Sequence, residues 1–407
     1  MFIAVAVLLV LGVAEVSSWA FFSLFHDRFT FFDPGAYSPG AEHIRRLVRR
    51  FDRELGWDMA FPTQFGERPH PVSYGRRLIG TFGDSFTYCD GVSDSQTWQV
   101  YLSEHLKADV YNFGVQAFGT DQAYLKFLRT YPKVRTPIVI LGLIAENINR
   151  ILNVYRPFYS PSTKILLSKP CFVLTEDGLR LRENPLRRSE DIPRLGDPVF
   201  LRELGRNDYW FNRQGYPMRE FPYSRLLLSR RIWFDAVHHK DLYGDMNPRP
   251  GENLWVMDEP TAIMCALVDS FFTRARAFRA IPVLMLLPQR FELRTRRATG
   301  RPIEAQAFLT GFCSTRRYAY FDAIEALARR ASTPAEGDAF FSGHLSALGN
   351  QVLANEILLF LARLLECETW EVGKLAVASN PQPRVQSNLR GSDSLATDPR
   401  RRLASPK

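Results

Sequence analysis

Four short apolar runs constrain this chain more than any other feature: Arg77–Phe82 (RLIGTF), Asp109–Phe113 (DVYNF), Pro137–Leu143 (PIVILGL) and Ile281–Leu287 (IPVLMLL), with Tyr318–Phe321 (YAYF) as a shorter fifth. None alternates apolar with polar residues, so each reads as a strand covered on both faces, which is the condition of a parallel sheet between helices. Helical stretches fall between them at Thr97–Leu106, Asp121–Tyr131, Pro260–Phe278 and Leu345–Leu365. The alternation predicts an α/β fold: a doubly wound three-layer sandwich around a mostly parallel five-stranded sheet. With 46% apolar residues in 407, there is material for one large domain with insertions or for two.

The first 25 residues, MFIAVAVLLVLGVAEVSSWAFFSLF, carry one charge, Glu15. About 20 apolar residues cross a bilayer as a helix, so residues 1–25 are expected to be a transmembrane anchor, with Glu15 facing a partner or headgroups. A buried helix within the fold is the alternative. No Lys or Arg precedes residue 28, so the basic start of a signal peptide is missing. Arg28, Arg45, Arg46, Arg49 and Arg50 follow the segment, and the positive-inside rule then puts the body in the cytoplasm. A start site misassigned past a few basic residues would reverse that orientation. Residues 26–75 read as a juxtamembrane connector rich in Phe, Pro and Arg, and residues 76–366 as the main domain. Within it, 150–255 breaks the strand–helix rhythm and reads as an insertion, either a lid over the carboxyl ends of the strands or a subdomain away from the site. Residues 367–407 read as a disordered basic tail.

That tail accounts for much of the charge. From Glu371 onward it holds seven Lys/Arg against three acids, within a net +9 for the chain. No basic-aromatic module accompanies it, so a nucleic-acid partner is not expected and the charge points to solubility or an anionic surface. The five cysteines, Cys89, Cys171, Cys265, Cys313 and Cys367, show no C-x-x-C spacing and are odd in number, which excludes a full intrachain disulfide framework. His238-His239 lack further ligands nearby and read as a loop, so no metal is expected. Nothing calls for a cofactor.

Open α/β sheets bind ligands beyond the carboxyl ends of their strands. Polar motifs sit at three such ends: Gly83-Asp84-Ser85, NFGVQAFGTDQ (112–122) and GLIAENINR (142–150). A fourth, SGHLSALGNQVLA (342–354), opens the last helix. A serine nucleophile needs a base and oxyanion donors. Ser85 fits the first role and His344 the second, with Asn147 and the N–H groups of Ser85 and Ala117 as donors. Gly83 suits a sharp turn, Asp84 suits a loop hydrogen bond, and Asp121 and Gln122 suit a helix cap. Arg150, Tyr155 and Arg156 read either as groove-lining residues or as a solvated face.

Together these motifs resemble the SGNH (GDSL-like) hydrolase superfamily over about residues 76–150 and 280–360, in the family order Ser, Gly, Asn, His. GDSFTYCDGVSD, NFGVQAFGTDQAYL and ENINR resemble a group of membrane-anchored bacterial members in particular. The resemblance implies a flavodoxin-like fold and a serine esterase or deacylase acting in the periplasm, on an ester or an acylated carbohydrate such as an O-acetylated envelope polysaccharide. It leaves open an O-acyltransferase on the same machinery, or a silent glycan-binding or scaffold domain. Three departures bear on the site. Ala117 stands where the family has its oxyanion glycine, and serves if its φ is negative, leaving Gly114 and Gly119 to make the turn. Gly142 lies five residues before Asn147, with Asn149 as the other candidate. Phe341 stands where the family places the Asp that orients the histidine. That role then falls to Asp338, or to a backbone carbonyl near Phe341.

Overall fold

The apolar runs pair as one sheet. The computed structural model describes residues 2–26, 29, 31–34, 40–59, 61–160, 163, 165–214, 217–237 and 253–367. Of the expected tail 367–407, Cys367 closes the last helix and the rest, like His238-His239, lies outside the described residues. The strands are β1 (Arg77–Phe82), β2 (Asp109–Asn112), β3 (Ile138–Leu143), β4 (Ile281–Leu286) and β5 (Ala319–Asp322). They lie in the order β2-β1-β3-β4-β5, and all neighbours are parallel. Ile79 pairs with Ile138, and Ile138 in turn with Ile281. The order reverses between β1 and β3, which opens the crevice where doubly wound sheets take their ligands.

The helices that matter are α1 (Phe2–Leu24), α2 (Ala41–Arg50), α3 (Ser85–Tyr88), α4 (Trp98–Leu106), α5 (Thr120–Val134), α6 (Asn147–Arg150), α7 (Arg230–Val237), α8 (Asp258–Ala277), α9 (Arg290–Thr299), α10 (Glu304–Arg316), α11 (Ala323–Arg330) and α12 (Ala347–Cys367). Successive strand residues point to opposite faces. Ile138 and Ile140 join the core under α4, α11 and α12, whereas Val139, Leu141 and Leu143 join the core under α5, α8 and α10. Burying one such side chain is worth about 1.5–3 kcal/mol, more than any local propensity, so two-sided burial holds the central strands. Helix α12 is long and apolar enough to cross a membrane, but Leu353, Ala354, Ile357 and Leu361 are buried in the second core. Helix α1 passes the same test and is almost wholly exposed.

Residues 41–59 are more than a connector. After α2, a small antiparallel hairpin pairs Phe51 with Trp57. Leu47, Leu55 and Trp57 are buried in the α5–α8 core. Arg129 of α5 bridges Asp52 and Asp58, each at 2.6 Å, and Lys126 reaches Asp58 at 2.5 Å.

The described part of the insertion packs on the body of the fold. Its hairpin, Cys171–Thr175 with Gly178–Arg182, packs on α8. Lys169 forms a buried ion pair with Asp121 of α5. Three of its side chains brace the 144–150 segment. Tyr159 donates to Glu146 at 2.8 Å, Trp210 to the Asn149 carbonyl at 2.9 Å, and Trp255 to the Ala145 carbonyl at 3.0 Å. Among the described residues, none of the insertion hydrogen-bonds Ser85 or His344. It supports the end of β3 from behind.

Candidate active site

Beyond Phe82 the backbone passes very close to its neighbours. A Cβ on Gly83 would stand 2.1 Å from Thr87 Oγ1 and 2.6 Å from the Gly142 carbonyl, so only glycine fits. Close approach, rather than a positive φ, is its reason for being there. Asp84 caps α3, accepting from the Phe86 N–H at 2.8 Å. Its other oxygen accepts from Asn147 Nδ2, also at 2.8 Å. One carboxylate thus joins the segment after β1 to the segment after β3. Burial pushes the Asp84 carboxyl above its ordinary range, opposed by Arg150 and by these two donors.

Ser85 is the first residue of α3 and is largely covered, with 7% of its surface exposed. His344 comes from a two-strand hairpin, Phe341–Ser342 with His344–Leu345, turned at Gly343 with φ +78°. A side chain there would be strained. Phe341 and Leu345 anchor the hairpin in the second core, which is the use of an apolar residue where the resemblance expects Asp. His344 Nε2 lies 2.9 Å from Ser85 Oγ, and the Phe86 ring packs on the imidazole with centroids 4.6 Å apart.

Both expected orienters of His344 are corrected. Arg294 holds the exposed Asp338 carboxylate in a two-point pair at 2.7 and 2.8 Å. The Phe341 carbonyl accepts from Arg290 at 2.7 Å. Among the described residues, His344 Nδ1 meets no hydrogen-bond acceptor. Burial lowers the His344 pKa below its ordinary value, and the carboxylates that act against this are Asp90 first, then Asp84 and Glu146. Asp90 was not singled out from the sequence. Its N–H donates to the Ser85 carbonyl at 3.0 Å and its carboxylate accepts from Gln116 at 2.9 Å. Its only sequence signal was a carboxylate five residues beyond Ser85.

The expected oxyanion donors come from the segments that follow β1, β2 and β3. The Ser85 N–H, first in its helix, has no helical carbonyl to meet. The turn 115–118 closes with the Phe118 N–H on the Val115 carbonyl at 3.3 Å. Ala117 adopts φ +62° there, so the negative φ set as the condition for Ala at this position is not met; the sign of φ strains the side chain but leaves the N–H in place. Positive φ at the third turn position is the type II pattern, which favours glycine. Trp57 Nε1 donates to the Gln116 carbonyl at 2.9 Å. That carbonyl shares a planar trans peptide with the Ala117 N–H, and the two point in opposite directions, so Trp57 fixes the direction of the Ala117 donor. Asn147 spends one of its two amide hydrogens on Asp84 and keeps the other. Asn149 is not brought to Asp84, since its Nδ2 lies 3.4 Å from the Tyr159 hydroxyl.

Gly114 and Gly119 do not make the turn, and neither has a positive φ. A Cβ on Gly114 would be 2.2 Å from the Tyr88 nitrogen, and one on Gly119 would be 2.4 Å from Asp121 Oδ1. Gln122 caps α5 by accepting from the Gly119 N–H at 3.1 Å, and Asp121 accepts the first-turn N–H of Gln122 at 2.9 Å on one oxygen while the other pairs with Lys169. Arg150, Tyr155 and Arg156 line no groove; all three are buried. Arg150 donates to Glu146 and, at 2.9 Å, to the Phe118 carbonyl at the end of the Ala117 turn. Burial pushes Glu146 up, but Arg150 and Arg156 outweigh it and hold its pKa below the ordinary value.

No family model matches the chain, and no curated protein matches it. Among solved structures, it is similar to a member of the lipolytic protein G-D-S-L family from Veillonella parvula DSM 2008, at 10% identity and TM-score 0.34, covering 70% of this chain and 98% of that one. It is similar to the psychrotrophic esterase EstA from Pseudoalteromonas sp., at 10% identity and TM-score 0.32, covering 71% and 99%. It is also similar to a catalytic mutant of an acetylxylan esterase from Geobacillus stearothermophilus, at 12% identity and TM-score 0.35, covering 71% and 95%.

Proposed function

We propose that this chain is an SGNH-type serine esterase or deacylase, anchored by α1. The observation that carries the reading is the 2.9 Å contact of His344 Nε2 with Ser85 Oγ at the crevice between β1 and β3. In the proposed reaction His344 takes the Ser85 proton as Oγ attacks the ester carbonyl carbon. The oxyanion is held by the N–H groups of Ser85 and Ala117 and by Asn147 Nδ2. Collapse breaks the ester C–O bond, the alcohol leaves with the proton from His344, and water releases the acid by the same steps. The covered Ser85 favours a short acyl group, and an O-acetylated envelope polysaccharide is the substrate proposed.

The test uses an active-site serine probe and a chromogenic acetyl ester. Ser85 should be the labelled residue, and Ser85→Ala and His344→Ala should each lower kcat by roughly 10³-fold or more with the fold intact. Asp338→Asn should leave kcat unchanged. Substantial turnover by either alanine variant would refute the assignment. Product analysis with a sugar acceptor present separates hydrolysis from acyl transfer. A periplasmic body is part of the proposal; an alkaline phosphatase fused after residue 367 should then be active, and an inactive fusion would place the body in the cytoplasm.

A further inference from the structure

One surface of the insertion is apolar, exposed and continuous with α1. Between Phe221 and Val237 the chain leaves Phe221, Leu228, Phe234 and Val237 more than half exposed, Leu228 at 83%, with Leu227 and Trp233 also exposed. Such a patch marks an interaction site. It sits against the carboxyl-terminal half of α1. Phe22 is buried with Leu226 and Ile232, and Phe21 faces the Trp233 ring at 6.4 Å. Arg219 donates to Ser23 and, at 2.7 Å, to Asp33. Ser224 donates to Glu15 through both its hydroxyl and, at 3.3 Å, its N–H.

We infer that residues 221–237 are a second membrane-embedded element, immersed with their apolar side chains in the hydrocarbon of the leaflet nearest the body. The inference rests on the reading that α1 crosses the bilayer. Length fixes the depth. Residues 2–14 of α1 rise about 20 Å, and a hydrocarbon core is about 30 Å thick. The remaining third must come from the turns after Ala14, and these are the turns that Ser224, Leu226 and Trp233 flank.

Two further features fit hydrocarbon rather than a protein partner. Backbone entering lipid must satisfy its own polar groups, and the turns at 222–229 and the helix Arg230–Val237 bond within themselves. The N–H groups of Arg225, Leu227, Leu228 and Ser229 each donate to the carbonyl three residues earlier, at 3.1–3.2 Å. The Trp233 indole N–H is likewise spent, on the Leu227 carbonyl at 2.8 Å. Glu15, the one charge in α1, is supplied with two donors at that depth by Ser224. The exposed Arg225 and Arg230 have side chains long enough to reach the headgroups, which places the segment at the hydrocarbon boundary.

The test is hydrophobic photolabelling of the full-length chain in phosphatidylethanolamine–phosphatidylglycerol vesicles, using a diazirine probe that partitions into hydrocarbon, with adducts mapped by mass spectrometry. Adducts should appear on 2–22 and on 221–237, at least about tenfold above exposed apolar residues of the body such as Val199 and Leu348. The double variant Leu228→Glu, Phe234→Glu should lose the label on 221–237 and keep it on 2–13. Label on α1 alone would overturn the inference, a protein or water then covering the patch, and would leave the anchor intact. Label on neither segment would overturn both. Retention of label on 221–237 in the double variant would also overturn it.

Discussion

The backbone at Ala117 sits at φ +62°, where an L side chain costs about 1–2 kcal/mol. The cost is tolerated because the Gln116 carbonyl is pinned by Trp57 and the Phe118 carbonyl by Arg150. Ala117→Gly should therefore raise stability, by about 1 kcal/mol, while the proposed esterase activity persists; a fall in the denaturant midpoint would contradict this. The base invites a second prediction. His344 is held below 6.5 chiefly by burial, with Asp90 acting in the opposite sense. A base must be neutral, so kcat/KM should be level through neutrality and decline only below pH 6.5, as His344 takes up a proton. Replacing Asp90 by Asn removes a charge that favours the imidazolium, so the decline should move to still lower pH. An unmoved limb would show that Asp90 serves only the loop.

Among elements, the hairpin at 51–57 acts on the site through one indole. Trp57→Phe keeps the ring in the core and removes the N–H that aims the Ala117 peptide. It should lower kcat about tenfold with KM little changed, as expected when a donor is kept but less well placed. Equal kcat in the two proteins would remove Trp57 from the account. Helix α9 contributes a different test. Burial raises the Glu292 carboxyl to about 8, and one of its oxygens accepts from the Gln289 N–H at 2.8 Å. Between its ordinary 4.5 and about 8 the unfolded chain has lost this proton and the folded chain keeps it, so stability falls as pH rises across that window. Glu292→Gln should gain on the parent protein from pH 5 to pH 8 in thermal unfolding; a constant difference would exclude the linkage. These elements also mark the limits of what could be read in advance. Strands β1, β3 and β4 were legible because two-sided burial leaves an unbroken apolar run. Ser85 and Asn147 were picked out because polar residues at strand ends stand out against such runs, and His344 from the motif that opens the last helix. Trp57, 59 residues from its partner Gln116, looked like one more aromatic in a connector. Asp338 failed as an orienter because chain distance says nothing of a competing Arg294 on another helix.

For the whole molecule, the proposed anchor predicts that the full-length chain resists alkaline carbonate extraction, and that a chain beginning after residue 25 is released as a folded body. Extraction of the full-length chain would remove the anchor from the reading. Where that cut is made has a consequence of its own. Arg68, buried, holds the loop after α3 through the carbonyls of Tyr88, Cys89 and Val92, at 2.6, 2.9 and 2.6 Å. Trp57 holds the turn at Ala117 through the Gln116 carbonyl. A fragment starting at Arg77, where the strand–helix alternation begins, would contain every residue of the proposed site and would still lack the two that brace it. The stretch between the proposed anchor and the sheet is therefore not a tether that can be exchanged for another. Any graft of this domain onto a new carrier has to bring residues 41–75 with it, or deliver a serine and a histidine in a mould that no longer holds its shape.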